Sequence, residues 1–200
     1  MKRFFILLGL SFGLSLQAQN TFQLGAKLGA NINQLSTSLP AYTNENYMGY
    51  NVGLFSRINF ERFHIQPELY YSHNGGNMVN GADLIKVRTH SANLPILLGY
   101  KILDFEQFNL RINAGPYASY AFYQDIESNV GGQTPFTREK MNNLNLGVVG
   151  GIGVDIWRIT IDARYNWGLM NVLGDNKFNS NPSAGFRNSW FEFAVGFRFL

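Results

Sequence analysis

The chain of 200 residues contains no cysteine and has few charged residues. Without a thiol it can form no disulfide framework, zinc-thiolate site or catalytic thiolate, and it cannot carry the lipidated N-terminal cysteine of a bacterial lipoprotein. Charged residues make up 14% of the sequence, against about 25% in soluble domains. There is no basic run, so we expect no nucleic acid among its partners.

Long apolar runs are equally scarce, and the N-terminus holds the clearest one. Two basic residues precede an apolar stretch at residues 4–16, and the small residue Ala18 follows. This order is typical of a secretory signal peptide, and the stretch is shorter than the roughly 20 residues that a transmembrane helix needs. We therefore predict a signal peptide at residues 1–18 and one domain at residues 19–200.

What the sequence does have is strict alternation of apolar and polar residues. Near the C-terminus, Phe191, Phe193 and Val195 share one face of the segment, and Trp190 and Glu192 share the other. A period of two predicts a β-strand with two different faces. One wholly apolar face and one polar face are typical of a membrane β-barrel with lipid outside and a polar interior.

The same alternation divides the mature chain into eight segments. They are residues 21–34, 47–60, 63–74, 84–102, 107–124, 142–156, 158–170 and 188–200. Short connections alternate with long ones, as periplasmic turns and extracellular loops do in outer-membrane barrels. We predict an all-β fold, an eight-stranded antiparallel up-and-down transmembrane β-barrel in the cell outer membrane, with outer-membrane lipid around it.

One segment breaks the pattern. Ile85 and Val87 are out of phase with Leu94 and Ile96 in the fourth predicted strand. We expect a β-bulge near residues 90–93, or a strand end that projects beyond the lipid.

The inward positions carry charged side chains that must be paired, because an unpaired buried charge is costly. They are Lys27, Arg57, Glu68, Lys101, Arg111, Asp155, Asp162, Arg164, Glu192 and Arg198. An eight-stranded barrel has an interior barely wide enough for side chains. We therefore predict a salt-bridge network that plugs the barrel, centred on Glu68 with Arg57 and Arg111. The alternative is a narrow ion path or gate.

Few residues could carry catalysis or bind a metal. The candidates near the outer rim are Ser72, His73, Asp83, His90 and Ser91. Adjacent residues in a strand point to opposite faces, so neither neighbouring Ser and His pair can act together. Two histidines without carboxylates make a weak metal site. We expect no catalytic residue, no metal ligand and no cofactor.

Several framework segments resemble those of a known family. They are residues 22–31, 65–72, 93–101 and 115–117, and they include Gln66-Pro67-Glu68-Leu69. In these segments the chain resembles the PorT-like outer-membrane barrel family of Bacteroidota, whose founding member is tied to protein export through the type IX secretion system. The resemblance implies an integral outer-membrane barrel.

From this resemblance and the plugged interior, we expect a structural or interaction protein that supports secretion or surface assembly. Its partners would be the barrel-assembly machinery during biogenesis and a secretion or surface partner at the extracellular loops. The alternatives are a small passive porin-like channel and an outer-membrane surface enzyme.

Overall fold

The computed structural model of the chain is a closed antiparallel β-barrel. It describes residues 22–36, 43–45, 47–80, 83–128, 143–169 and 187–200. The predicted signal peptide lies outside these residues, as do large parts of the predicted long connections. The described residues contain no helix that is long and apolar enough to cross a membrane.

The barrel wall consists of eight strands, and one further short strand pairs with it at one end. In chain order the strands are β1 (Phe22–Ser36), β2 (Thr43–Glu45), β3 (Tyr47–Phe60), β4 (Phe63–Asn80), β5 (Asp83–Asp104), β6 (Phe108–Ser128), β7 (Leu144–Ile156), β8 (Ile159–Gly168) and β9 (Arg187–Arg198). Neighbours in the wall follow one another along the chain, and β1 closes the barrel by pairing with β9. The predicted eight-stranded up-and-down barrel is confirmed.

One end of the barrel has tight connections, and we call it the turn end. Residues 61–62 link β3 to β4, and residues 157–158 link β7 to β8. Glu61 and Trp157 both have a φ of 54°, the left-handed conformation that two-residue hairpin turns require. The described chain also starts and finishes here, where Leu24 and Leu200 share backbone hydrogen bonds. We call the opposite end, where the predicted long connections lie, the loop end.

The outward face is apolar over most of the height of the wall. Leu54, Ile152 and Val195 are more than half exposed, whereas their neighbours Phe55, Gly153 and Ala194 are buried. Exposed aromatic side chains mark both ends. They are Phe60, Phe63, Phe108, Trp157 and Phe199 at the turn end, and Tyr50, Tyr120, Phe122, Trp167 and Phe191 toward the loop end. This distribution matches an apolar band between two aromatic girdles.

The strands next to the loop end are longer than predicted. The ladder between β4 and β5 continues to the pair Asn80 and Asp83, so the prediction of a connection over residues 75–83 is wrong for most of that range. The short strand β2 likewise falls within the predicted connection at residues 35–46 and pairs with the end of β4. Residues 75–80 of β4 and the three residues of β2 lack the regular alternation from which the strands were predicted.

The predicted irregularity at residues 90–93 is present, but its extra residue lies in the neighbouring strand. The β5–β6 register shifts between His90, which pairs with Tyr123, and Ser91, which pairs with Ala121. Phe122 of β6 is therefore the bulged residue. As a result, Phe122 and Tyr123 are adjacent in sequence and both exposed on the outward face.

The interior packing can be tested at a glycine that faces inward. A Cβ atom on Gly53 would lie 2.3 Å from Cβ of Tyr70 and 2.4 Å from the carbonyl oxygen of Leu69. On the outward-facing Gly150 it would meet its nearest atom, in the ring of Trp167, at 3.3 Å. We expect Gly53→Ala to lower the free energy of unfolding by about 1–3 kcal/mol through overpacking, measured by urea unfolding of the refolded barrel in micelles.

Gly150→Ala is the matched control, and we expect it to change stability by about 0.5 kcal/mol or less. Equal urea midpoints for the two variants would contradict tight packing of the interior at Gly53.

Candidate functional site

The middle of the barrel interior holds eight charged side chains, none of them more than 3% exposed. The cations are Lys27, Arg57, Arg111 and Arg164, and the carboxylates are Glu68, Asp155, Asp162 and Glu192. They come from every strand of the wall except β5, because the two-residue alternation turns each of them inward. Four positive and four negative charges cancel. We refer to these eight residues as the interior charge network.

Glu68 is the most heavily paired carboxylate on the loop-end side of the network. Lys27 Nζ lies 2.5 Å from its Oε2 and 2.9 Å from Oε1 of Glu192. The two terminal nitrogens of Arg164 lie 2.9 and 2.8 Å from the two oxygens of Glu68. The Lys27 ammonium also stands 4.3 Å from the centre of the Tyr70 ring. Both oxygens of Glu68 therefore face a cation.

Two aspartates hold the part of the network nearer the turn end. Arg57 Nη1 donates to Oδ2 of Asp155 at 2.6 Å. Arg111 Nη1 donates to Oδ1 of Asp162 at 2.8 Å. The other oxygen of Asp162 lies 3.1 Å from Nη2 of Arg164. This contact joins the two parts into one network.

The prediction that Glu68 pairs with Arg57 and Arg111 is wrong. Those two arginines lie nearer the turn end and pair with the aspartates there. Arg57 reaches Glu68 through Gln66, which accepts from Arg57 Nε at 2.7 Å and donates to Glu68 Oε1 at 2.6 Å. Thr160 accepts a hydrogen bond from Arg111. Sequence reasoning did not single out Gln66 or Thr160 as members, and their inward parity was the available signal.

Lys101 and Arg198 lie at the turn-end mouth, outside the network. Both line a polar cavity of about 790 Å³ that opens there. Lys101 Nζ is 3.3 Å from a carboxylate oxygen of Asp104, and Arg198 donates to the carbonyl of Trp157. The structure thus corrects the prediction for these two residues, because inward positions at the end of a strand face water and do not require a buried partner.

Toward the loop end, the interior is filled by uncharged groups. On one side Asn51 donates to Asn31, and Asn31 donates to Asn74, both at 2.8 Å. The other side holds a buried apolar cluster of Leu97, Tyr117, Val149 and Trp190. Sequence reasoning missed this cluster, although Leu97 and Trp190 stand out as large apolar residues at inward positions. The barrel is therefore filled above the charge network as well as at its level.

The candidate serines and the candidate histidines lie on opposite faces of the barrel wall. Ser72 is buried inside the barrel, with its hydroxyl 3.0 Å from that of Ser91. His73 and His90 lie on the opposite, outward face of the same strands. The side chain of Asp83 lies outside the described part of the chain. Among the described residues there is also no group of three or more histidine, aspartate or glutamate side chains that could hold a metal ion.

The network can be tested by removing one charge. Glu68→Gln removes the carboxylate that Lys27 and Arg164 both contact most closely, while preserving the size of the side chain. We expect it to lower the free energy of unfolding by about 3–5 kcal/mol, the usual cost of breaking a buried ion pair, measured by urea unfolding in micelles. Glu61→Gln, at an exposed turn position, is the control. Unfolding of both variants at the same urea concentration would count against a stabilising network.

A double-mutant cycle tests which arginine pairs with Glu68. We expect stronger coupling of Glu68→Gln with Arg164→Gln than with Arg111→Gln, since only Arg164 contacts this carboxylate directly. Equal coupling energies in the two cycles would contradict a preferred pairing of Glu68 with Arg164.

Comparison with known proteins supports the interpretation of this chain as an outer-membrane β-barrel. A family model described as "Outer membrane protein beta-barrel domain" matches residues 17–174. No protein of curated function matches the sequence significantly. Among solved structures, OprG of Pseudomonas aeruginosa aligns with a TM-score of 0.52 and 11% identity, over 90% of this chain and 96% of that one.

Two further structures align less closely. Ail of Yersinia pestis, in complex with the heparin analogue sucrose octasulfate, has a TM-score of 0.46 and 14% identity, over 90% of this chain and 99% of that one. The outer membrane enzyme PagL has a TM-score of 0.48 and 12% identity, over 86% of this chain and 98% of that one. At 11% identity, the likeness to OprG shows the shared fold alone. The family match and the closed barrel together show that the chain belongs to the outer membrane protein beta-barrel domain family and resides in the cell outer membrane.

Proposed function

We propose that this outer-membrane barrel is a closed structural and interaction protein that supports protein secretion or surface assembly through its extracellular loops. The observation that carries the proposal is the filled interior. Four cations and four carboxylates pair across the middle of the barrel, and amide and apolar side chains fill the space above them. A barrel built this way acts at its ends and on its surface.

The charge network argues against the passive channel. An ion crossing the barrel would have to separate contacts such as those of Lys27 with Glu68 at 2.5 Å and with Glu192 at 2.9 Å. Breaking a buried ion pair costs about 3–5 kcal/mol. An eight-stranded wall offers no wider route around the network, because its interior is only as wide as the side chains that fill it.

The surface enzyme finds less support in the geometry. Ser72 and His73 lie on opposite faces of β4. Inside the barrel, the Ser72 hydroxyl forms hydrogen bonds with the Ser91 hydroxyl and the Asn93 side-chain amide. A nucleophile and its general base must lie within hydrogen-bond reach of each other. The described part of the rim provides no such pair of serine and histidine.

The suggested link with secretion comes from the PorT-like framework segments. In the structure, Gln66 and Glu68 of the Gln-Pro-Glu-Leu segment belong to the interior contacts, and Leu69 faces outward. The side chains of this segment therefore contact the interior charge network and the lipid, and a partner would bind at another part of the protein. This favours the extracellular loops as the surface on which secretion or assembly partners act.

Single-channel recording tests the closed interior. We expect no conductance steps from the wild-type barrel in planar bilayers. Glu68→Ala/Arg164→Ala removes one charge of each sign and the bulk of both side chains, so it should open a path and conduct. Lys27→Ala/Glu192→Ala is a second neutral variant in case the first does not fold. Regular conductance steps from the wild type would replace this proposal with the passive channel.

A comparison of secreted and surface proteins between a deletion strain and its parent tests the proposed role. We expect exported proteins to accumulate in the periplasm of the deletion strain, and the wild-type gene to restore the parental profile. A gene in which residues 171–187 are replaced by a short Gly-Ser linker should fail to restore it. Identical profiles in deletion strain and parent would exclude the role in secretion and surface assembly.

A further inference from the structure

The outward face carries its first charged side chains at the loop end of β5 and β6. Among the outward positions whose side chains the structure describes, those nearer the turn end hold no lysine, arginine, aspartate or glutamate. The uncharged surface ends at Arg88 and Asp125, which are cross-strand partners. Two residues nearer the turn end along β5 lies His90, whose cross-strand partner on β4 is His73. Basic groups thus enter the outward face where the apolar band finishes.

The two histidine rings are close together, and one of them contacts the hydroxyl group of a neighbouring tyrosine. The ring centroids of His73 and His90 are 4.5 Å apart. The Tyr71 hydroxyl lies 2.5 Å from Nδ1 of His90. Arg88 is close enough to His73 to act on it electrostatically. Its cross-strand partner on β4 is Gly75, which has no side chain to separate the arginine from the histidines. We call Tyr71, His73, Arg88 and His90 the rim cluster.

The height of the rim cluster places it at the outer surface of the lipid. His73 follows the turn residue Arg62 by 11 positions along β4. A strand rises about 3.3 Å per residue and tilts by about 40° in such barrels, so this distance corresponds to roughly 28 Å along the barrel axis. The apolar band of an outer-membrane barrel is about 25 Å tall. The cluster therefore lies at the level of the lipid headgroups.

We propose that the rim cluster binds the phosphate ester of an outer-leaflet lipid headgroup. A guanidinium makes strong charge-assisted hydrogen bonds to phosphate oxygens, and imidazole retains an N–H donor in either protonation state. Arg88 would hold the phosphate beside the two histidine rings, on their loop-end side. Asp125 lies across from Arg88 on the β6 side, whereas the histidines flank Arg88 on the β4 side, which makes that side the more favourable for an anion.

A divalent metal ion on the two histidines is the competing occupant. His73 and His90 supply two ligands, and the described residues add no third histidine or carboxylate to make a metal-binding group. Zinc sites in proteins use three or four protein ligands. The positive charge of Arg88 next to His73 repels a metal cation and attracts a phosphate. The same electrostatics that weakens a metal site therefore favours the anion.

Lipid titration of the full-length barrel tests the proposal. The thermal unfolding midpoint is measured in phosphatidylcholine vesicles that contain increasing amounts of phosphatidic acid, since a ligand of the folded state raises the midpoint. We expect phosphatidic acid to stabilise the wild type, and Arg88→Gln to weaken its apparent affinity about tenfold, as expected for loss of a charge-assisted contact. Arg158→Gln, at an exposed turn-end position, is the matched control and should titrate like the wild type.

His73→Asn/His90→Asn is a second variant, and it should also bind phosphatidic acid more weakly than the wild type. Wild-type affinity in Arg88→Gln would overturn the proposal. Equal stabilisation by inorganic phosphate in pure phosphatidylcholine vesicles would show an anion site without lipid specificity and would overturn the assignment to a headgroup. Stabilisation by Zn²⁺ that is lost in the histidine variant, with no effect of phosphatidic acid, would replace the lipid site with a metal site.

Discussion

Cancellation of charge inside a narrow, closed wall is the constraint on which the rest of this barrel depends. Lys27 sits between two carboxylates, and Glu68 sits between two cations. Each partner comes from a different strand, so the pairs form only when all strands have the correct register. A slip of one residue would turn a charged side chain toward lipid and leave its partner buried and unpaired. The network thus specifies the register of the barrel as well as filling it.

The middle of the barrel and its two ends differ in what they can contact. The middle is closed, with the charge network below and the amide and apolar groups of Asn31 and Trp190 above it. The wall outside the network is uncharged and suited to lipid. Under the proposed function, contacts with other molecules would fall to the turn-end mouth, the rim cluster and the extracellular loops.

Period-two alternation predicted the eight strands of the wall and the face of nearly every residue, because burial against lipid or interior leaves a clear record in the sequence. This alternation is lost at the loop end of the strands. β4 continues to Asn80 and β5 begins at Asp83, and the sequence of β4 after His73 lacks the alternation that predicted the rest of the strand. The bulge shows a related limit: the sequence of β5 predicted an irregularity near residue 90, but the extra residue is Phe122 of β6, and β5 keeps an unbroken register with β4.

The sequence by itself determined which charges enter the barrel, that cations and carboxylates can balance there, and that the other face meets lipid. Only the tertiary structure decided which charges pair. Strand tilt and stagger set the height of each inward side chain, and a pattern of period two records its direction but not its height. For that reason Glu68 meets Lys27 and Arg164, although the inward positions of Arg57 and Arg111 made them equally acceptable partners in the sequence.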